Sequence, residues 1–207
     1  MSRPLPILCL VTDAATARQP LLEAVAAAIA GGVDRVQVRA RELEGAALVE
    51  QVAALAAAAR HERPGVEILV NRRVDAALAA GADGVHLGFD AVTPAEARRL
   101  LPEGARIGVS CHAPEEVAAA AAAGADYAHL APIFDPLSKP RERPALGLEA
   151  LAAAASHGIP VLAQGGIEAD NAGDVIAAGA AGVAVTGAIL ASPDPRAAAA
   201  RLRAALG

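Results

Sequence analysis

Four times in this sequence an alanine-rich stretch runs into glycine and hands over at once to a β-branched run. The copies are Ala79-Ala80-Gly81-Ala82-Asp83-Gly84-Val85, Ala123-Gly124-Ala125-Asp126-Tyr127-Ala128, Ala178-Gly179-Ala180-Ala181-Gly182-Val183 and the looser Gly31-Gly32-Val33-Asp34-Arg35-Val36. A glycine that ends a helix by taking positive φ, followed by a short turn into a strand, marks the joint of an αβ unit. Apolar periodicity predicts strands over Ile7–Val11, Val33–Val38, Val66–Val70, Gly84–Leu87, Arg106–Val109, Tyr127–Leu130, Ile159–Ala163 and Gly182–Thr186. Helices are expected between them over Pro20–Ala30, Ala46–Arg60, Val74–Ala79, Pro94–Leu101, Pro114–Ala123, Leu148–Ser156, Asn171–Ala178 and Pro195–Leu206.

Continuously apolar strands alternating with helices suit a parallel sheet covered on its outside. Eight such units predict an α/β chain closed into one (β/α)8 barrel, small beside the ~250 residues usual for that architecture. Residues 1–207 are expected to form this one domain. A doubly wound open sheet would use fewer strands and carry a GxGxxG-like turn after the first. The first strand here leads instead into Thr12-Asp13-Ala14-Ala15-Thr16.

The composition excludes several classes of function. With 55% hydrophobic and 20% charged residues, the chain is built to bury a core and not to stay disordered. A net charge of -5 offers no general attraction to nucleic acid or to an anionic membrane. One tyrosine, two phenylalanines and no tryptophan argue against base stacking. Mean hydropathy is +0.39, yet no apolar run approaches the roughly eighteen residues that span a bilayer. The short apolar patch ending at Val11 reads as a buried first strand, not as a signal-peptide core. Cys9 and Cys111 lie far apart without CxxC spacing, which points to a reducing, cytoplasmic home.

Polar and glycine residues collect just after the predicted strands, where a barrel carries its ligand site. Gly165-Gly166 after the seventh strand and Val185-Thr186-Gly187 at the end of the eighth are the expected phosphate-binding backbone. Two tight turns needing positive φ would look the same. Gln37, Arg39 and Arg41 alternate onto one side of an extended segment, as a clamp for an anion or a heteroaromatic ring. The same arginines would also serve as a basic rim paired with Glu42 and Glu44. Ser110 and His112 close the fifth strand; a histidine there suits proton transfer, whereas no acidic partner completes a hydrolase triad. The proline-rich stretch from Pro132 to Pro144 reads as a lid carrying Lys139, or as a plain surface loop. Five histidines show no HxH or HExxH spacing, and Asp13, Asp75, Asp83 and Asp90 do not assemble into a carboxylate site, so no metal is predicted.

Taken in order, Leu10-Val11-Thr12-Asp13, Gln37-Val38-Arg39, the run from Val70 to Leu78, Gly81 to Gly88, Gly108-Val109-Ser110-Cys111-His112, Gly124-Ala125-Asp126-Tyr127, Pro132-Ile133-Phe134, Gly165-Gly166-Ile167 and Gly179 to Val185 resemble the thiamine phosphate synthase/TenI family over almost the whole chain. The resemblance implies a barrel in thiamine biosynthesis that binds a thiazole phosphate, with a homodimer as the family expectation. In the synthase branch, a hydroxymethylpyrimidine diphosphate is joined to the thiazole phosphate with magnesium. Gln37, Arg39, Arg41, Asn71, Ser138 and Lys139 then match the residues on the diphosphate side, His86 and Ser110 stand at the substrate, and Gly166 with the Val185–Ala188 backbone matches the phosphate cradle. The sequence departs from that pattern at Asn71-Arg72-Arg73, where the family has Asn-Asp-Arg, and at His86-Leu87-Gly88-Phe89-Asp90-Ala91, one residue longer than usual. Those departures resemble TenI, a thiazole tautomerase needing no cofactor, whose catalytic histidine matches His112. The expectation is therefore a tautomerase, with synthase as the alternative. Asp13 and Asp90 are metal ligands only in the synthase reading. A barrel that binds a phosphorylated metabolite without catalysis is the third reading.

Overall fold

The computed structural model describes residues 6–135 and 144–207. Strands β1 (Ile7–Val11), β2 (Arg35–Val38), β3 (Glu67–Asn71), β4 (Gly84–Leu87), β5 (Arg106–Cys111), β6 (Tyr127–Leu130), β7 (Val161–Gln164) and β8 (Gly182–Val185) pair in chain order. All neighbours are parallel, and β8 returns to β1 through Ile7↔Gly182 and Cys9↔Ala184, closing the barrel. Around it lie α1 (Leu21–Ala30), α2 (Gly45–Glu62), α3 (Val74–Ala80), α4 (Pro94–Leu100), α5 (Pro114–Ala122), α6 (Gly147–Ala155), α7 (Ala172–Ala177), the single turn α8 (Gly187–Leu190) and α9 (Pro195–Leu206). No helix among the described residues is long and apolar enough to cross a membrane.

The predicted barrel is the observed one, with differences at its edges. β5 runs on to Cys111, so Ser110 belongs to the strand and not to a loop. β3 likewise includes Asn71, whose register partner is His86. Thr186 falls outside β8 and precedes α8, a turn too short for periodicity to reveal.

The repeated joint has a shared physical reason. Asp34, Asp83 and Asp126 each accept a backbone N–H from the preceding strand: Leu8 at 2.8 Å, Ile68 at 2.7 Å and Ile107 at 2.7 Å. Each also pairs with arginine, Asp34 with Arg63 and Arg203, Asp83 with Arg60, and Asp126 with Arg98. The acid therefore fastens the start of one strand to its neighbour and to a covering helix. At the remaining copy, Ala178 to Val183, Ala181 stands in that place, and only its backbone bonds, donating to the Val161 carbonyl at 2.8 Å.

Two apolar layers result. The larger lies between sheet and helices and takes the outward residues such as Leu8, Leu10, Val36, Val38, Ile68 and Val85. The smaller fills the barrel with Cys9, Val11, Leu69, Tyr127, Leu162 and Ala184. Continuing that inward parity toward the strand C-termini brings Gln37, Asn71, His86, Ser110, His129 and Gln164 together. Alternation along the strands is what positions the site.

Candidate functional site

A cavity of about 270 Å³ opens at the C-terminal end of the barrel. Of the residues singled out in the sequence, Gln37, Arg39, Arg41, Asn71, His86, Asp90, Ser110, His112 and Thr186 line it. Arg72, Phe89, His129 and Gln164 line it as well. A second cavity of about 250 Å³ adjoins the first and shares Arg41, Asn71 and Arg72 with it. Ser138 and Lys139, and most of the expected lid, lie outside the described residues.

The floor is a fixed, uncharged network. His86 is buried, with Nδ1 3.0 Å from the Tyr127 hydroxyl and Nε2 2.9 Å from Ser110 Oγ. Burial, then the positive fields of His129 and Arg35, hold its pKa well below the usual histidine value. Burial and Arg35 likewise push His129 down to about 3, against the bond of its Nδ1 to Gln164 Oε1 at 3.1 Å. Two neutral rings 4.2 Å apart thus support the site without titrating near neutrality. His86 holds Ser110 toward the cavity; it has no ring nitrogen left to offer. Beneath, Arg35 lies 4.4 Å from the Tyr127 ring centroid and bonds Glu67 at 2.5 Å, which Arg106 also meets at 3.1 Å. Burial raises the Cys9 and Cys111 thiols to about 12, so both stay protonated.

His112 is arranged differently. Its Nδ1 lies 2.8 Å from the carbonyl oxygen of Ala131, an oxygen that can only accept. Nδ1 therefore carries a proton, and in the neutral tautomer the lone pair is on Nε2. The backbone N–H of His112 donates to Glu116 at 2.6 Å, fixing the start of the loop.

The opposite rim is cationic. Arg39, Arg41 and Arg72 face the cavity, with Asp90 as the one carboxylate among its described lining residues. Arg39 pairs with Asp13 at 3.1 Å, and Thr12 Oγ1 accepts the backbone N–H of Arg39 at 2.8 Å. Arg72 pairs with Asp90. Arg41 makes no ion pair among the described residues. Phe89 is 91% exposed at the same mouth, an apolar ring that the sequence reading passed over. His129 was missed too, although inward parity on β6 was the signal that could have found it; Gln164 is one of the polar residues that end the strands.

Of the expected phosphate backbone, Gly165, Gly166, Val185 and Gly187 do not line the cavity, and Thr186 alone does. The glycine pair also has a packing cause. A Cβ on Gly166, at φ +64°, would stand 2.7 Å from the Asp135 carbonyl oxygen and from Phe134 Cβ. The loop after β7 presses on the loop after β6, where Phe134 N–H donates to Gly165 O at 3.1 Å. Val185 sits at outward parity, packed in the layer beneath the helices. Asp13, bonded to Arg39, is also absent from the lining.

Comparisons with known proteins place this geometry in context. The chain matches the family described as thiamine monophosphate synthase over residues 8–189. A thiamine-phosphate synthase of Azorhizobium caulinodans is 43% identical over 90% of this chain and 88% of that protein. Another, of Chloroflexus aurantiacus, is 44% identical over 95% and 91%. A relative in Geobacter sulfurreducens, 47% identical over 91% and 89%, carries the same name provisionally. Among solved structures, a thiamine phosphate pyrophosphorylase of Pyrococcus furiosus superposes with a TM-score of 0.87 at 33% identity, covering 97% of this chain and 95% of that one.

Proposed function

Because the chain belongs to the thiamine monophosphate synthase/TenI family, we propose that it is a thiamine-phosphate synthase, joining a hydroxymethylpyrimidine diphosphate to a thiazole phosphate. The observation that carries this reading is the gathering of Arg39, Arg41 and Arg72 at one rim of a cavity whose floor is neutral. In the coupling, the C–O bond between the pyrimidine methylene and the diphosphate breaks. The thiazole nitrogen supplies the pair for the new C–N bond, and the diphosphate departs with the electrons of the broken one. Guanidinium groups set at the leaving oxygens stabilise the charge that develops there. Gln37 and Asn71 beside them orient the pyrimidine end, and Ser110, held by His86, contacts a ring over the floor. The thiazole phosphate lies toward Thr186, against the backbone of Gly165-Gly166 and Gly187. Ser138 and Lys139 would add to the diphosphate side. The names of the relatives, at 43% and 44% identity, favour this transferase reading over the tautomerase that the sequence departures suggested.

A magnesium ion, which the synthase resemblance implies, does not fit the side chains present. Among the described residues no three histidine, cysteine, aspartate or glutamate side chains converge as ligands. Among the described residues the one carboxylate on the cavity is held by Arg72, with Arg39 and Arg41 on the same rim. A hard divalent cation wants several oxygens and no neighbouring guanidinium.

A second reading rests on His112. His112 lines the cavity, and with Nδ1 bonded to Ala131 O its neutral ring offers Nε2 as the acceptor, which suits proton relocation on a carboxythiazole phosphate. Incubating the protein with each substrate set, with EDTA and with magnesium, and resolving products by mass and ultraviolet absorbance separates the readings. Thiamine phosphate is the expected product. Aromatised thiazole without coupling would overturn the synthase reading for the tautomerase. Turnover of neither set, with thiazole phosphate still bound, would leave a non-catalytic binding protein.

A further inference from the structure

Arg72 is a non-glycine residue in the left-handed region, at φ +67°, and no other such residue occurs among those described. Backbone held in a disfavoured region asks for a reason at the site. Asparagine and aspartate tolerate that region better than arginine. The strained residue is also one of the three, Arg41, Asn71 and Arg72, that the two adjoining cavities share. Its guanidinium is tied to Asp90, the single acid among the described residues on the first cavity, and both side chains are about two-fifths exposed, Arg72 at 42% and Asp90 at 39%.

The charges settle what this rim can hold. Three guanidinium groups meet two carboxylates among the described residues, Asp13 on Arg39 and Asp90 on Arg72, which leaves Arg41 without an ion pair there and one positive charge in excess. A ligand with two linked phosphoryl groups presents several anionic oxygens and fits planar, bidentate donors. A cation brought to Asp90 would have to displace Arg72 and then remain beside it. We propose that this rim binds a diphosphate group by guanidinium alone, without a divalent cation, and that Asp90 is a latch which Arg72 releases when the anion arrives. The inference rests on the diphosphate-dependent reading above and says how that group is held.

Inorganic diphosphate, titrated calorimetrically into the full chain with EDTA or with magnesium, tests it. Binding is expected in EDTA, and magnesium should not tighten it. Arg72→Ala should weaken binding about 10- to 100-fold, the scale of a lost charge-assisted pair. Asp90→Asn should tighten binding a few-fold, because the competitor for Arg72 is gone. Arg72→Asp, which suits the backbone and places two carboxylates together, should bind diphosphate only with magnesium. Binding by the natural chain that requires magnesium would overturn the proposal, as would unchanged affinity in a folded Arg72→Ala. The two ideas fail separately. Coupling that proceeds only with magnesium would sink the inference and keep the synthase reading, whereas metal-free diphosphate binding without coupling would do the reverse.

Discussion

Gly108 on β5 is the space in which the Tyr127 ring of β6 lies. A Cβ at position 108 would stand 2.0 Å from Tyr127 Cζ and 2.3 Å from its hydroxyl. That hydroxyl orients His86, and His86 in turn holds Ser110, so one missing side chain permits the whole floor. Gly108→Ala should therefore overpack the barrel interior and cost about 3 kcal/mol. Thermal melting should fall by roughly 6–12 °C for a chain of this size. An alanine variant melting with the natural protein would mean the ring does not fill that space.

The two buried histidines predict an acid-labile fold. Each is held neutral when folded, His129 down to about 3, while the unfolded chain takes up protons near the ordinary value of 6.5. The unfolded state thus binds more protons below that value, and stability present above it is lost as pH falls. Between pH 6 and 5, before most carboxylates titrate, the unfolding free energy should drop by up to about 3 kcal/mol per pH unit for the pair. His129→Leu should reduce that slope to about half. Urea denaturation at several pH values gives the slope directly, and a flat profile would show that the rings are hydrated.

His112 distinguishes the two chemistries. If its Nε2 moves a proton, His112→Ala should cost about 10²- to 10⁴-fold in turnover of a carboxythiazole phosphate. In the coupling reaction, where no proton need be relocated by that nitrogen, the loss should stay below about tenfold. Measuring kcat separately from KM for both reactions decides, since a purely positional histidine would shift KM in each.

The barrel was readable because its signals are local. A glycine joint, an alanine-rich helix and a β-branched run each sit within a few residues, and closure follows from counting them. The site was readable where strand parity carried it, as for Gln37, Asn71 and His86. Parity also placed His129 and Gln164 inward, but neither has a motif that distinguishes it from core. What lay beyond reach were contacts between distant loops. Arg72 and Asp90 are 18 residues apart and meet across the β3 and β4 loops. The packing need for glycine at 165 and 166, a turn pressed by Pro132 and Phe134, is another such contact between loops. The repeated aspartates were read as turn residues, and their bonds to the neighbouring strand appear only in three dimensions.

Arg72 offers a way to separate function from stability. A non-glycine residue at φ +67° costs about 1–2 kcal/mol in backbone strain. Glycine removes that strain but gives back about 0.4–1 kcal/mol through the freer unfolded chain. The half-exposed pair with Asp90 contributes at most about 1 kcal/mol. Arg72→Gly should therefore leave the melting temperature within about 3 °C of the natural protein. Arg72→Val, β-branched in the same conformation, should fall below the glycine variant by about 2 kcal/mol. Both should lose diphosphate binding alike, so affinity would follow the guanidinium while stability follows the backbone. A glycine variant that melts as early as the valine one would show that Arg72 is kept for the fold.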